Sequence, residues 1–121
     1  MNKVVIVGCG NVGMSYAYAL VTQGSSVNEL CLIDINQTRA QGEALDLNHA
    51  LPYAPKNMKI YAGSYKDCDD ASLVVIAAGR NQEKGETRED LIHKNYAVFK
   101  SILDEINKTK FAGIYLVATN P

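Results

Sequence analysis

The sequence predicts an α/β protein, a doubly wound parallel sheet with helices on both faces. Three observations carry this. The apolar runs at 4–7, 30–33 and 73–77 lack the in–out alternation of a half-exposed strand and read as strands covered on both sides. They alternate with longer stretches patterned at helical spacing. The connections are short, so strand–helix–strand units should close by right-handed crossovers and leave neighbouring strands parallel.

The chain is organised around its first thirty-four residues. Val4-Val5-Ile6-Val7 runs directly into the GxGxxG turn Gly8-Cys9-Gly10-Asn11-Val12-Gly13. A helix over 11–23 follows, with Gly13, Ala17, Leu20, Val21 and Gly24 along one face, and Gly24-Ser25-Ser26 stops it. The second strand carries Leu30-Cys31-Leu32-Ile33 and ends in Asp34, 21 positions after Gly13. Each part answers a need of a bound dinucleotide. Gly8 permits the tight exit from the strand, Gly10 lets the backbone approach a pyrophosphate, and Gly13 lets helix and strand pack closely. The helix turns its free N–H groups and positive dipole end towards the phosphates. Asp34 is positioned to accept from the adenosine ribose hydroxyls. An ordinary strand–turn–helix unit explains the glycines but not the acid, so the domain reads as a Rossmann-type dinucleotide-binding fold.

Beyond Asp34, Asn36 is a plausible N-cap for a second helix reaching residue 50, with Ala40, Ala44, Leu47 and Leu51 on one face. Pro52 and Pro55 bracket a loop. Residues 59–62 form a third strand closed by Gly63-Ser64, and 66–70 are a polar surface turn or short helix. The fourth strand, 73–77, ends in Ala78-Gly79 and a charged loop over 80–87. A long helix reaches about residue 109, with Leu91, Ile92, Asn95, Val98, Phe99, Ile102, Leu103 and Ile106 at steps of three or four. Residues 113–117 form the fifth strand. Ligands on such sheets bind beyond the strands' carboxyl ends, where the strand order switches. The glycine turn, Asp34, Gly79 with its charged loop, and Thr119-Asn120 leave those ends and should converge on one crevice.

Composition excludes several classes. A net charge of −1 leaves no basic face for nucleic acid. No apolar run approaches the roughly 18 residues of a membrane span, and because Met1-Asn2-Lys3 leads straight into a strand no signal peptide is expected. Cys9, Cys31 and Cys68 are odd in number and scattered, as expected of reduced thiols in a cytoplasmic protein. Cys9 stands near a helix N-terminus, a setting that lowers a thiol pKa, but it reads first as a small residue filling a turn. Neither these cysteines nor His49 and His93 assemble a metal site. The sequence stops at Asn120-Pro121, directly after a strand, so a longer protein is expected.

Five motifs, in order and at the right spacing, resemble bacterial L-lactate dehydrogenases of the lactate/malate dehydrogenase family. They are Gly8 through Gly13, Leu32-Ile33-Asp34-Ile35-Asn36, Leu45-Asp46-Leu47-Asn48-His49, Asn81-Gln82 with Gly85-Glu86-Thr87-Arg88, and Leu116-Val117-Ala118-Thr119-Asn120-Pro121. The resemblance covers the whole chain and implies the N-terminal, NAD-binding part of an enzyme about two and a half times longer. A sixth strand and the substrate domain would lie past Pro121, and the full enzyme would be a cytoplasmic homotetramer exchanging a hydride between NADH and pyruvate or L-lactate. It implies cofactor contacts at Gly8, Gly10, Asn11, Val12, Gly13 and Asp34, then at Arg39, Tyr65, Gly79, Arg80 and Ser101, and at Ala118, Thr119 and Asn120 beside the nicotinamide. An arginine at position 80 departs from the small residue the family carries there.

The resemblance makes the loop 80–88 a lid over the substrate. Arg88 would polarise the substrate carbonyl and stabilise the charge developing on its oxygen, and Asn120 would also touch substrate. Gln82, six positions before Arg88, stands where malate dehydrogenases carry a second arginine. Glutamine cannot neutralise the extra carboxylate of oxaloacetate but tolerates the methyl group of pyruvate, which argues for lactate. A general acid/base is absent: neither His49 nor His93 sits at a strand's carboxyl end, and the catalytic histidine is expected outside this chain. Alternatives are another 2-hydroxy acid dehydrogenase, acting on malate or a branched acid, and a non-catalytic NAD-sensing module.

Overall fold

The computed structural model describes residues 2–79 and 82–119. Its strands are β1 (Lys3–Val7), β2 (Glu29–Ile33), β3 (Lys59–Ala62), β4 (Leu73–Ile76) and β5 (Ile114–Val117). All pair in parallel, in the order β3-β2-β1-β4-β5. Helices α1 (Asn11–Thr22), α2 (Gln37–Ala50) and α3 (Arg88–Asn107) connect them. Each bound falls within two residues of the sequence expectation.

The continuous apolar runs have the predicted cause. All five residues of β1 are buried, and successive side chains enter opposite cores. Val4 and Ile6 join Leu30, Leu32, Ile60 and the inner faces of α1 and α2. Val5 and Val7 join Val74, Ile76 and the α3 residues Ile102 and Ile106. A fully buried Val, Leu or Ile contributes about 1.5–3 kcal/mol, so β1, β2 and β4 anchor the fold. The buried faces of the first two helices are Gly13, Ala17 and Val21 on α1 and Ala40, Ala44 and Leu47 on α2, and the glycine and alanines among them let the helices approach closely. Gly24, at φ +65°, takes the left-handed conformation that ends α1. The Asn36 side chain accepts from the Arg39 N–H at 3.1 Å, the predicted cap of α2.

Three features differ from expectation or were not foreseen. Helix α2 runs on into a 3-10 turn, Leu51–Tyr53, because Pro52 is tolerated in a first turn. Ile92, expected on the buried face of α3, is 45% exposed. Lys3 is 4% exposed, with its Nζ 2.8 Å from Asp70 and 3.5 Å from Glu29. The Tyr61 hydroxyl donates to Glu29 at 2.6 Å. Burial disfavours the ammonium charge, but the hydrogen bond to Asp70 and the neighbouring Tyr61 hydroxyl outweigh it and raise the Lys3 pKa above the ordinary range. The cluster stitches β1, β2, β3 and the approach to β4 together at the end of the sheet opposite the predicted crevice.

A dinucleotide crevice at the carboxyl ends of the strands

The strand order reverses between β1 and β4, and the glycine turn crosses that point. The Gly8 N–H donates to the Ile33 carbonyl at 2.8 Å, and the Ala77 N–H donates to the Val7 carbonyl at 2.9 Å. Gly8 has φ +105°, and a Cβ there would lie 2.6 Å from the Ala78 nitrogen. A side chain is excluded because the turn passes backbone against backbone over the exit of β4. At Gly13 an added Cβ would lie 2.0 Å from the Gly8 carbonyl oxygen, so α1 sits directly on the turn. Gly10 is different: nothing lies within 4 Å of its Cβ position. It is the N-cap of α1 and no side chain caps that helix. The first turn of α1 therefore presents N–H groups and its positive end to open space, as an anionic ligand requires.

Asp34 closes the other side. One carboxylate oxygen accepts from the Cys9 N–H at 2.8 Å and the other from the Asn36 N–H at 2.9 Å. Each oxygen retains capacity for another donor, so the half-buried carboxylate is fixed in place yet able to receive a ribose diol. Cys9 is completely buried, and burial, followed by the negative charges of Asp34 and Glu43, pushes its thiol up to about 12, with Arg39 partly offsetting them. The helix N-terminus does not lower it. Cys9 is the turn filler, and its backbone rather than its sulfur serves the site.

Arg39 lies exposed on α2. Tyr65 opens the 3-10 turn Tyr65–Cys68 after β3 and is half-buried, which raises its hydroxyl pKa. Gly79 is exposed at the exit of β4, and a Cβ there would meet the buried Asn95 amide at 3.6 Å. The Ala118 N–H donates to the Ile76 carbonyl at 2.9 Å, seating the exit of β5 beside that of β4. Thr119 shares a hollow of about 280 Å³ with Ile92, Asn95, Tyr96, Phe99 and Val117. Ser101 is exposed on α3 and donates to the Val98 carbonyl at 2.7 Å. Asn11 and Val12 are exposed in the first turn of α1. Arg80 and Asn120 lie outside the described residues.

Gln82 is exposed, and its amide donates to the Glu86 carbonyl at 2.5 Å. Arg88 is the first residue of α3, also exposed. Thr87 and Asp90 cap that helix reciprocally, the Thr87 hydroxyl accepting from the Asp90 N–H at 3.0 Å. Sequence reasoning missed this box, although Thr-x-x-Asp before an apolar periodic stretch is its signature. Both histidines are on the surface. Among the described residues, no three His, Cys, Asp or Glu side chains group to hold a metal, and no helix is long and apolar enough to cross a membrane.

A glycine turn backed by a bare helix end, with an acid on the neighbouring strand, defines a dinucleotide-binding domain of Rossmann type. The family model described as lactate/malate dehydrogenase, NAD binding domain, matches residues 2–121. The chain belongs to that family, and NAD is its cofactor. It is 59% identical to an L-lactate dehydrogenase of Halalkalibacterium halodurans over 99% of this chain and 38% of that protein. It superposes on the ligands-bound form of a minor L-lactate dehydrogenase from Enterococcus mundtii with a TM-score of 0.96, at 48% identity, covering 99% of this chain and 38% of that one. A malate dehydrogenase from Archaeoglobus fulgidus in complex with NADH superposes with a TM-score of 0.88, at 36% identity, covering 98% of this chain and 40% of that one. The chain thus spans 38% of the length of the curated relative it matches.

Proposed function

We propose that this domain supplies the cofactor-binding part of a NAD-dependent L-lactate dehydrogenase, with pyruvate and L-lactate as substrates. NAD supplies the hydride chemistry. In this reading the chain's own residues bind and orient. Gly8, Gly10, Asn11, Val12 and Gly13 seat the pyrophosphate, and Asp34, with Arg39 on α2, holds the adenosine ribose. Tyr65, Gly79, Arg80 and Ser101 line the rest of the cofactor path, with Ala118, Thr119 and Asn120 beside the nicotinamide. Arg88 polarises the substrate carbonyl, and Asn120 contacts substrate. The homotetramer and cytoplasmic location implied by the resemblance belong to the same proposal.

One observation carries the choice of substrate. The loop entering α3 holds a neutral amide, Gln82, six residues before the cation Arg88. A single guanidinium serves a substrate with one carbonyl to polarise and a methyl group beside it, whereas a dicarboxylate needs a second cation. The test is reduction of pyruvate and of oxaloacetate by NADH with the full-length protein. The expected result is a kcat/KM for pyruvate about 1000-fold above that for oxaloacetate, roughly 4 kcal/mol. Preference for oxaloacetate would overturn the proposal in favour of a malate enzyme. Tight NADH binding without turnover of any 2-oxo acid would make the domain a sensor.

A further inference from the structure

We propose that Glu86 and Lys94 form a latch that fastens the loop carrying Gln82 onto α3, and that both are positioning residues for Gln82 and Arg88. The inference rests on the lactate dehydrogenase reading for its consequence, though not for its geometry. Four atoms of Glu86 are engaged. Its N–H donates to the Glu83 carbonyl at 3.0 Å, and its carbonyl accepts from the Gln82 amide at 2.5 Å. One carboxylate oxygen accepts from the Glu83 N–H at 3.3 Å, and the other pairs with the Lys94 ammonium. Gly85, at φ +83°, gives the turn the left-handed step it needs.

Burial sets this pair apart from the other loop charges. The Glu86 side chain is 6% exposed in a loop whose other described residues face solvent, while Lys94 is 48% exposed. By contrast, Lys100–Asp104 and Lys108–Glu105 are exposed on both sides and act as ordinary surface pairs. Lys94 lies about two helical turns into α3, so its contact with Glu86 spans the first turns of the helix and the box that starts it. The loop from Gln82 and the first half of α3 are thereby one body. Gln82 is held through the Glu86 carbonyl, and Arg88 follows two residues later on the same body. The distance between the neutral amide and the catalytic cation is set by the latch, not by a free loop.

The experiment compares wild type, Glu86→Gln, Lys94→Met and Lys94→Arg in the full-length protein, each first shown to melt cooperatively. Hydrogen exchange over 82–94, without ligands, should accelerate at least tenfold in Glu86→Gln and Lys94→Met and stay near wild type in Lys94→Arg. Unchanged exchange overturns the latch whatever the enzyme turns over. In the activity arm, the kcat/KM ratio of pyruvate to oxaloacetate should fall at least tenfold in the first two variants and recover in Lys94→Arg, with NADH affinity within twofold throughout. Faster exchange with an unchanged ratio overturns the positioning role. A wild type that prefers a substrate other than pyruvate sinks the substrate reading, and the exchange arm still decides the latch.

Discussion

The backbone N–H of Cys9 donates to the Asp34 carboxylate at 2.8 Å, so the turn leaving β1 is tied directly to the acid ending β2. In the proposed reading Asp34 has two functions. It accepts from the protein's own glycine turn, and it presents negative charge where a ribose diol would sit.

That charge should select NAD over NADP. A 2′-phosphate brought within about 4 Å of the carboxylate meets repulsion of a few kcal/mol. Fluorescence titration should give an NADPH dissociation constant on the order of 100-fold above that of NADH. In Asp34→Ser the gap should narrow, and NADH affinity should fall as well because the Cys9 and Asn36 N–H groups lose their shared acceptor. Equal affinities in the wild type would remove Asp34 from the cofactor site.

Gly10→Ala and Gly13→Ala should separate folding from binding. The Gly13 Cβ would lie 2.0 Å from the Gly8 carbonyl oxygen, so that variant should lose about 3 kcal/mol or fail to fold. Nothing stands within 4 Å of a Gly10 Cβ, so Gly10→Ala should melt within about 1 kcal/mol of wild type. It should nevertheless bind NADH at least tenfold more weakly, because the methyl group occupies the open side of the turn. Denaturant melts and NADH titrations on both variants check this, and a Gly10→Ala protein with full affinity would move the pyrophosphate elsewhere.

The thiols should be silent in the folded protein. Burial is the first cause in each case, pushing Cys9 and Cys31 up to about 12 and Cys68 up to about 11. Alkylation depends on thiolate, so none should react at pH 8 until the protein is unfolded, when all three should count. A single fast thiol under native conditions would contradict the buried turn.

The Lys3 cluster should resist pH over a wide range. Its raised pKa means that the stability it confers is complete below lysine's unfolded value of about 10.4 and is lost as pH climbs through the higher folded value. The hydrogen bond from Lys3 is the first cause of the lowered Asp70 pKa. The Asp70 contribution is therefore present above about pH 3.9 and disappears as pH falls through the folded value. Lys3→Met should cost about 1–3 kcal/mol, most of it from the enclosed Glu29–Tyr61 side, because Asp70 is screened by solvent. The difference from wild type should be flat between pH 5 and 9 and narrow at both extremes, as urea melts across pH would report.

Substrate choice should turn on position 82. In the full-length enzyme, Gln82→Arg should raise kcat/KM for oxaloacetate and lower it for pyruvate, a swing of about 1000-fold or roughly 4 kcal/mol. An arginine retains N–H donors for the Glu86 carbonyl, so the loop should survive the change. Arg88→Gln is the control and should depress kcat for both substrates. An unchanged ratio in Gln82→Arg would leave the loop a solvated turn.

The sequence was legible wherever the signal is local. The glycine turn, the acid of the second strand, the Asn36 cap and the Gly24 stop are short patterns whose physics is complete within a few residues. The continuous apolar strands revealed coverage on both faces for the same reason. What stayed hidden depends on partners far along the chain. Nothing near Lys3 in the sequence signals its burial, because its partners, Glu29 and Asp70, come from later elements. Helical spacing placed Ile92 inward, but it lines an open hollow beside Val117 and Thr119. Glu86 was one acid among several in a hydrophilic loop, and only the folded course of α3 brings Lys94 to it. Tyr65 could not be judged buried or exposed without the packing around Cys68.

The central place of β1 also governs how the chain comes off the ribosome. Its first residues emerge early, yet one of its two neighbours, β4, begins at Leu73 and pairs with it through Val4. At about 5–20 residues per second, several seconds separate the appearance of the two strands. Throughout that interval β1 can join only β2, and its other edge is a row of bare N–H and C=O groups flanked by Val, Val, Ile and Val. Parallel pairing across so long a separation is slow to close and easily diverted. Substitutions that weaken β4 should therefore reduce yield before they reduce the stability of the finished protein.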